Sequence, residues 1–316
     1  MHSVASPFSD LGALHESALI RMQLVMGPLP SAPRCPLKIQ FTKRHIRDGI
    51  RFQKLLYSPE AGDQCPAWLL SPEGDHTPRP ALLCCHQTIS IGKDEPIGLG
   101  GSSDLHFALE LAQRGYVLLV PDYPGFGEYH VNSYALGYSS TTMKGIWNHL
   151  RGVDLLSSLP EVAQDRIGAI GHSLGGHNAM FLGAFDPRIR LVVTSCGFTR
   201  FTHNDNEGLG TPGDISDWSH DGYMPLIRSH FNSRAERLPF DFPDVMMALL
   251  PRPLFINAPI DDFMKQAGVQ ECVDLLAPLY GKYGEPAALE AHFPQGGHDF
   301  PPDVREAAYK FIEKHI

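Results

Sequence analysis

Apolar residues in this 316-residue chain fall into short runs separated by polar, Gly- and Pro-rich segments, and the runs change character after residue 80. Residues 8 to 27 place Leu11, Leu14, Leu19, Ile20, Leu24 and Val25 at roughly helical spacing, and Gly27-Pro28 and Pro30 stop the pattern. Residues 1–36 therefore read as a helical extension, packed on the domain or on a second subunit of a homo-oligomer. Between Leu37 and Leu70, the segments Ile39–Thr42, Arg51–Tyr57 and Ala67–Leu70 read as strands. Turns at Asp48-Gly49 and Ala61-Gly62-Asp63 join them into the antiparallel edge of a larger sheet.

From Ala81 the pattern becomes an alternation. Ala81–Cys85 is a continuous apolar run of the kind buried on both sheet faces. After it come a helix over Leu105–Arg114, a strand at Tyr116–Val120, a helix over Thr141–Leu159, a strand at Ile167–Gly171, a helix to Phe185 and a strand at Leu191–Ser195. A strand at Pro253–Ala258, a helix near 266–280, a strand at Leu289–Phe293 and a closing helix over Pro301–Ile316 complete the series. Such a rhythm predicts an α/β fold: one domain over residues 1–316 with a mostly parallel, doubly wound sheet, whose ligands bind beyond the C-terminal strand ends. Residues 197–250 break the rhythm with polar and aromatic sequence. They read as a cap-like insertion over the active site, in which Trp218, Tyr223 and Phe240 either pack beneath the insertion or face a substrate.

Composition narrows the function. A net charge of -9 without a Lys/Arg cluster argues against a nucleic-acid partner. The six cysteines form no C-x-x-C pair, and Cys84-Cys85 lie inside an apolar run, which suits buried thiols in a reducing, cytoplasmic setting. No stretch of about 18 apolar residues or basic-then-apolar N-terminus appears, so neither membrane insertion nor export is expected. No metal-ligand spacing and no G-x-G-x-x-G after the first strand occurs, so no metal or other cofactor is expected.

The chemistry centres on Ile167-Gly168-Ala169-Ile170-Gly171-His172-Ser173-Leu174-Gly175-Gly176. A strand ends and a helix begins at Ser173, flanked by Gly171 and Gly175 in G-x-S-x-G spacing, which is the pattern of a nucleophile elbow. Small neighbours tolerate the strained turn, and the helix-initial N-H groups point at whatever the Ser173 oxygen attacks. A serine hydroxyl needs a base, and the base needs a third group to orient it.

From this stretch to the C-terminus, and back to about residue 65, the chain resembles the α/β-hydrolase superfamily. The resemblance implies a catalytic histidine in the loop after the last strand, where Gly296-Gly297-His298-Asp299-Phe300 supplies His298. It implies an acid after the preceding core strand, where Asn257-Ala258-Pro259-Ile260-Asp261-Asp262 offers Asp262, with Asp261 as the alternative. Oxyanion donors would be the N-H of Leu174 and that of Thr88, with Gln87 as the alternative. His86, in the place of the histidine of an H-G motif, would brace that loop and border the substrate along with Trp218 and Tyr223. His172 reads as a packed core histidine, and Lys93 and Glu95 as a solvated pair at the pocket mouth. The run His86-Gln87-Thr88, followed by Gly92-Lys93-Asp94-Glu95 and Gly98, resembles the dienelactone hydrolase-like and acetyl xylan esterase-like branch, although dienelactone hydrolase itself uses a cysteine where this chain has Ser173.

The expected function is cleavage of a small-molecule carboxylic ester with a short acyl group, through an acyl-serine. Acyl transfer, peptide cleavage or ligand binding with a vestigial triad are the alternatives.

Overall fold

The structure is a computed structural model that describes residues 7–74 and 77–316. The N-terminal helix, α1 (Pro7–Met26), packs on the domain itself. His15 Nε2 lies 2.9 Å from the Ala184 carbonyl oxygen, and Arg21 pairs with Asp244. Its buried stripe differs from the sequence expectation. Ala18, Met22 and Met26, spaced by four, join Leu11 and Val25 in the core, whereas Ile20 and Leu24 are 54% and 59% exposed. Methionine and alanine at i, i+4 and i+8 fill the seam, and the bulkier leucine and isoleucine lie outside it.

Three antiparallel strands follow: β1 (Gln40–Arg47), β2 (Ile50–Tyr57) and β3 (Cys65–Pro72). The alternating part runs β4 (Arg79–Cys85), α2 (Phe107–Gln113), β5 (Val117–Pro121), α3 (Thr141–Ser158), β6 (Val162–His172), α4 (Leu174–Phe185) and β7 (Ile189–Ser195). After the insertion, with its short helices α5 (Leu226–Phe231) and α6 (Phe242–Leu249), come β8 (Leu254–Asn257), α7 (Gln266–Tyr283), β9 (Leu289–His292) and α8 (Pro302–His315). Each predicted strand and long helix is present, and β6 is longer than its apolar stretch because its polar first half also extends.

The nine strands form one sheet in the order β1-β2-β3-β5-β4-β6-β7-β8-β9. From β5 to β9 every neighbouring pair is parallel. Alternate residues of one strand serve opposite faces. Ala81, Leu83 and Cys85 of β4 join the core beneath α1, α3, α4, α6 and α7, while Leu82 and Cys84 join the core beneath α2 and α8. All six cysteines are free thiols. Among the described residues, no helix is long and apolar enough to cross a membrane.

The strand order locates the site. After β4 the chain crosses to β5 on one side, and after β6 it crosses to β7 on the other, so the C-terminal ends of β4 and β6 border a crevice that no connection fills. Ser173 ends β6 and the loop from His86 ends β4, so the topology alone brings them to the same crevice.

Candidate active site

Ser173 has φ 55° and ψ -121°, a conformation that costs a non-glycine residue of order 1–3 kcal/mol and persists only where surrounding structure imposes it. Here the imposition is visible. The Ser173 N-H donates to the Ser195 carbonyl oxygen of β7 at 2.8 Å, and α4 starts at the next residue. A Cβ at Gly171 would overlap the Gly175 carbonyl, one at Gly175 would overlap the Cys85 carbonyl at the end of β4, and one at Gly176 would come 2.7 Å from Gly197 Cα. The three glycines thus let strand, helix and neighbouring loops close around the serine. The Leu174 N-H and those of Gln87 and Thr88 donate to no protein acceptor among the described residues, so they are available to an oxyanion.

The loop after β4 is held from behind. His86 is buried; its Nδ1 lies 2.6 Å from the Gln87 carbonyl oxygen and its Nε2 accepts the Tyr123 N-H at 2.9 Å. Burial pushes its pKa down, consistent with the neutral ring that these two bonds need. The expectation that His86 borders the substrate is therefore corrected. With both ring nitrogens engaged by backbone, it braces the loop and does not reach the main cavity.

Gln87 is fixed by Glu95, whose two carboxylate oxygens accept from Gln87 Nε2 at 3.1 and 2.9 Å while Oε1 also accepts the Ser102 N-H. The expectation of a solvated Lys93–Glu95 pair is corrected as well. Both side chains are buried, and Lys93 Nζ instead meets Asp122 Oδ2 at 2.9 Å and Glu128 Oε2 at 2.7 Å. Desolvation opposes its charge, but the two carboxylates outweigh that and hold its pKa above the usual lysine value. Removing water from this pair is tolerable only because the lysine keeps charged partners.

On the other side of the crevice, His298 Nδ1 lies 2.9 Å from Asp262 Oδ1. The Asp262 side chain is fully buried, and its Oδ1 also accepts the Met264 N-H at 3.0 Å. Asp261 is exposed; its N-H donates to the Gly296 carbonyl oxygen, which ties the acid's loop to the histidine's loop. Of the two candidate acids, Asp262 is the one that contacts the imidazole. Phe263 stacks on His298 with centroids 4.3 Å apart, and the buried His172 meets the same ring edge-on at 4.8 Å. His172 Nδ1 lies 2.9 Å from Ser195 Oγ, and burial followed by the nearby His298 pushes its pKa well below the ordinary value. It stays neutral and forms a wall behind His298. Beside it Cys196 is also buried, and desolvation followed by the Asp262 carboxylate raises its pKa well above that of a free thiol. That thiol is a packing group and not a second nucleophile.

Ser173, Leu174, Gln87, Thr88 and His298 open into one cavity of about 430 Å³. Its outer wall comes from the insertion, which contributes Trp218 and Tyr223. Tyr223 lines the cavity and its hydroxyl lies 2.9 Å from Thr88 Oγ1. Trp218 both lines the cavity and packs, being buried against Phe201 and Phe242 with centroids at 5.3 and 5.6 Å. Phe240 is buried against Phe201 and does not line the cavity. Phe263 and two acids of the cavity wall, Glu207 and Asp217, were not singled out from the sequence, and Glu95 was placed at the pocket mouth but not as the partner of Gln87. Phe263 directly follows Asp262 and its aromatic character was a usable signal, whereas nothing local marks Glu95 as the partner of Gln87.

Burial of Asp217 disfavours its charged form in the folded protein. Burial, with a further contribution from the Glu207 charge and against the Asn204 bond, raises its pKa from 3.8 to about 6. A raised carboxyl value means that the folded protein binds the proton more tightly than the unfolded chain. The penalty is absent below about 3.8 and fully present above about 6. Two units at 1.36 kcal/mol each set it at about 3 kcal/mol. The stability of Asp217→Asn relative to wild type is expected to rise by about that amount between pH 4 and pH 7. Denaturant titrations at both pH values test it, and a pH-independent difference would remove the buried charge as the cause.

Comparisons with known proteins bear on the family and the fold. A family model described as "Glucuronyl esterase, fungi" matches residues 133–284, a span from before α3 to the end of α7. A "Putative hydrolase YtaP" of Bacillus subtilis (strain 168) is 25% identical over 304 residues, covering 92% of this chain and 96% of that protein. A "4-O-methyl-glucuronoyl methylesterase 1" of Sodiomyces alcalophilus is 28% identical over 147 residues, covering 42% of this chain and 28% of the relative. Among solved structures, a glucuronoyl esterase from Solibacter usitatus superposes with a TM-score of 0.73 at 15% identity over 96% of this chain and 91% of that one. A putative acetyl xylan esterase from Bacteroides fragilis NCTC 9343 superposes with a TM-score of 0.68 at 20% identity over 99% and 84%. The superpositions establish a shared fold.

Proposed function

We propose that this α/β-hydrolase, which we place in the dienelactone hydrolase-like branch, is a serine hydrolase of carboxylic esters that works through an acyl-serine intermediate. The reading rests above all on one observation: a strained serine at the floor of a cavity whose wall holds an imidazole bonded at 2.9 Å to a buried carboxylate. His298 Nε2 takes the Ser173 proton as Oγ attacks the ester carbon, while Asp262 keeps the Nδ1-H in place and stabilises the imidazolium that forms. The tetrahedral oxyanion receives the Leu174 N-H and one from the loop after β4, at Thr88 or Gln87. Collapse expels the alcohol, which receives the proton from His298. Water then enters, loses its proton to the same ring and frees the acid.

The relatives named above support an ester substrate, since a glucuronoyl methylesterase and an acetyl xylan esterase both cleave esters by their names. The cavity size and its outer wall, built from the insertion, support short acyl groups. The test is release of p-nitrophenol from acetyl, butyryl and dodecanoyl esters, with and without methanol as a competing acceptor. We expect Ser173-dependent turnover that is fastest on acetyl or butyryl esters and passes the acyl group mainly to water. A dodecanoyl preference would overturn the short-acyl reading, and predominant methyl ester formation at low methanol would replace hydrolase by acyltransferase.

A further inference from the structure

The part of the cavity wall that the insertion supplies bears charge of one sign. Asp217 and Glu207, both from the insertion, line it, and neither is in an ion pair among the described residues. Asp217 is half-buried, and its partners are neutral: Asn204 Nδ2 at 3.1 Å and the Trp218 N-H at 3.1 Å. Elsewhere the buried Asp122, Asp63 and Asp186 have Lys93, Lys144 and Arg188 as counter-ions, whereas the buried Glu95, like Asp217, is held by neutral donors, Gln87 Nε2 and the Ser102 N-H. Among the described residues, no lysine or arginine lines the cavity. Desolvation lowers the pKa of the buried His177 to about 3, and desolvation also lowers that of His220, so both favour the neutral ring. The three aromatic rings Trp218, Tyr223 and Phe263 line the same space, together with the apolar Leu209 and Met264. A desolvated carboxylate without a counter-ion is costly to keep, and ring faces attract cations; together they form a surface that a positive charge completes and a negative charge is repelled from.

We propose that the substrates of this enzyme are esters bearing an ammonium group remote from the scissile bond, seated between Asp217, Glu207 and the aromatic wall, and that esters bearing a carboxylate there are rejected. The inference rests on the esterase reading and deepens it. The reaction is unchanged by it: the ester C–O bond breaks, water supplies the new C–O bond, and the ammonium group stays charged throughout.

The experiment compares kcat/KM at pH 8 for acetylcholine, its uncharged carbon isostere 3,3-dimethylbutyl acetate, and 3-acetoxypropionate, each divided by its rate of hydroxide hydrolysis. The expected order is cation over neutral by at least about tenfold and neutral over anion by a similar factor, the size that a single partly desolvated charge contact supplies. In the Asp217→Asn/Glu207→Gln double variant the cation-to-neutral ratio is expected to collapse to within about threefold of one. Choline and 3,3-dimethylbutanol, tested as competitive inhibitors of wild type, give the same comparison without turnover and without any variant. Choline is expected to bind at least about tenfold more tightly. Equal constants for cation and neutral ester, equal inhibition by the two alcohols, or a ratio unchanged in the double variant would each overturn the proposal while leaving the esterase reading intact. Absence of Ser173-dependent turnover on all three esters would instead overturn the esterase reading, and the proposal with it.

Discussion

Ser173→Ala is expected to lower kcat on p-nitrophenyl acetate by at least about 10⁴-fold, His298→Ala by a similar factor, and the double variant by little more than either alone. On the proposed mechanism the two groups act as one device. Without the base, the Ser173 hydroxyl remains a poor nucleophile; without the hydroxyl, the base has no proton to take at the right place. Neither substitution should cost the fold. His298 lies in a loop and is only partly buried, and the Ser173→Ala change leaves in place the backbone bond to Ser195 that holds the elbow. Burst and steady-state kinetics on the three variants check this. A Ser173→Ala protein retaining more than about a tenth of the activity, or single losses that multiply in the double variant, would remove Ser173 as nucleophile.

Asp262→Asn should lower kcat by on the order of 10⁴-fold, and Asp261→Asn by less than about twofold. Asp262 Oδ1 lies 2.9 Å from His298 Nδ1, which on the proposed mechanism carries the ring proton and leaves Nε2 free to take the proton of Ser173. An amide at that position can present its own N-H to Nδ1, which places the ring proton on Nε2 and leaves the serine without an acceptor. The Asp262 side chain is fully buried, so the lost charge cannot be replaced by solvent there. Asp261, exposed, contributes its backbone N-H to the Gly296 carbonyl, and an asparagine keeps that bond. Pre-steady-state rates for both variants decide the matter. Equal, mild losses would mean that the imidazole is oriented by another group.

Much of this protein was written in local sequence. Short apolar runs between turns and helices announced the strands, because a strand buried on both faces needs apolar residues throughout. Gly171, Gly175 and Gly176 around Ser173 announced the elbow because a Cβ at any of them would collide with backbone, so composition at three positions encodes a geometry. The loop after the last strand announced His298, although only the fold-family resemblance made that loop meaningful.

Tertiary structure decided what depends on residues distant in sequence. Adjacent Asp261 and Asp262 are chemically identical, and which one meets His298 follows from how the loop after β8 is tied to Pro294 and Gly296. Lys93 and Glu95, two residues apart and of opposite charge, suggested a pair; instead each is buried against a different partner, Asp122 just after β5 and Gln87 in the loop after β4. His86 was read in part as a substrate contact, yet Tyr123 from the end of β5 occupies its ring nitrogen. Burial and charge pairing are sums over neighbours that the strand order assembles, so a periodic pattern can reveal an element and an elbow, while the partner of each buried charge exists only once the sheet has closed.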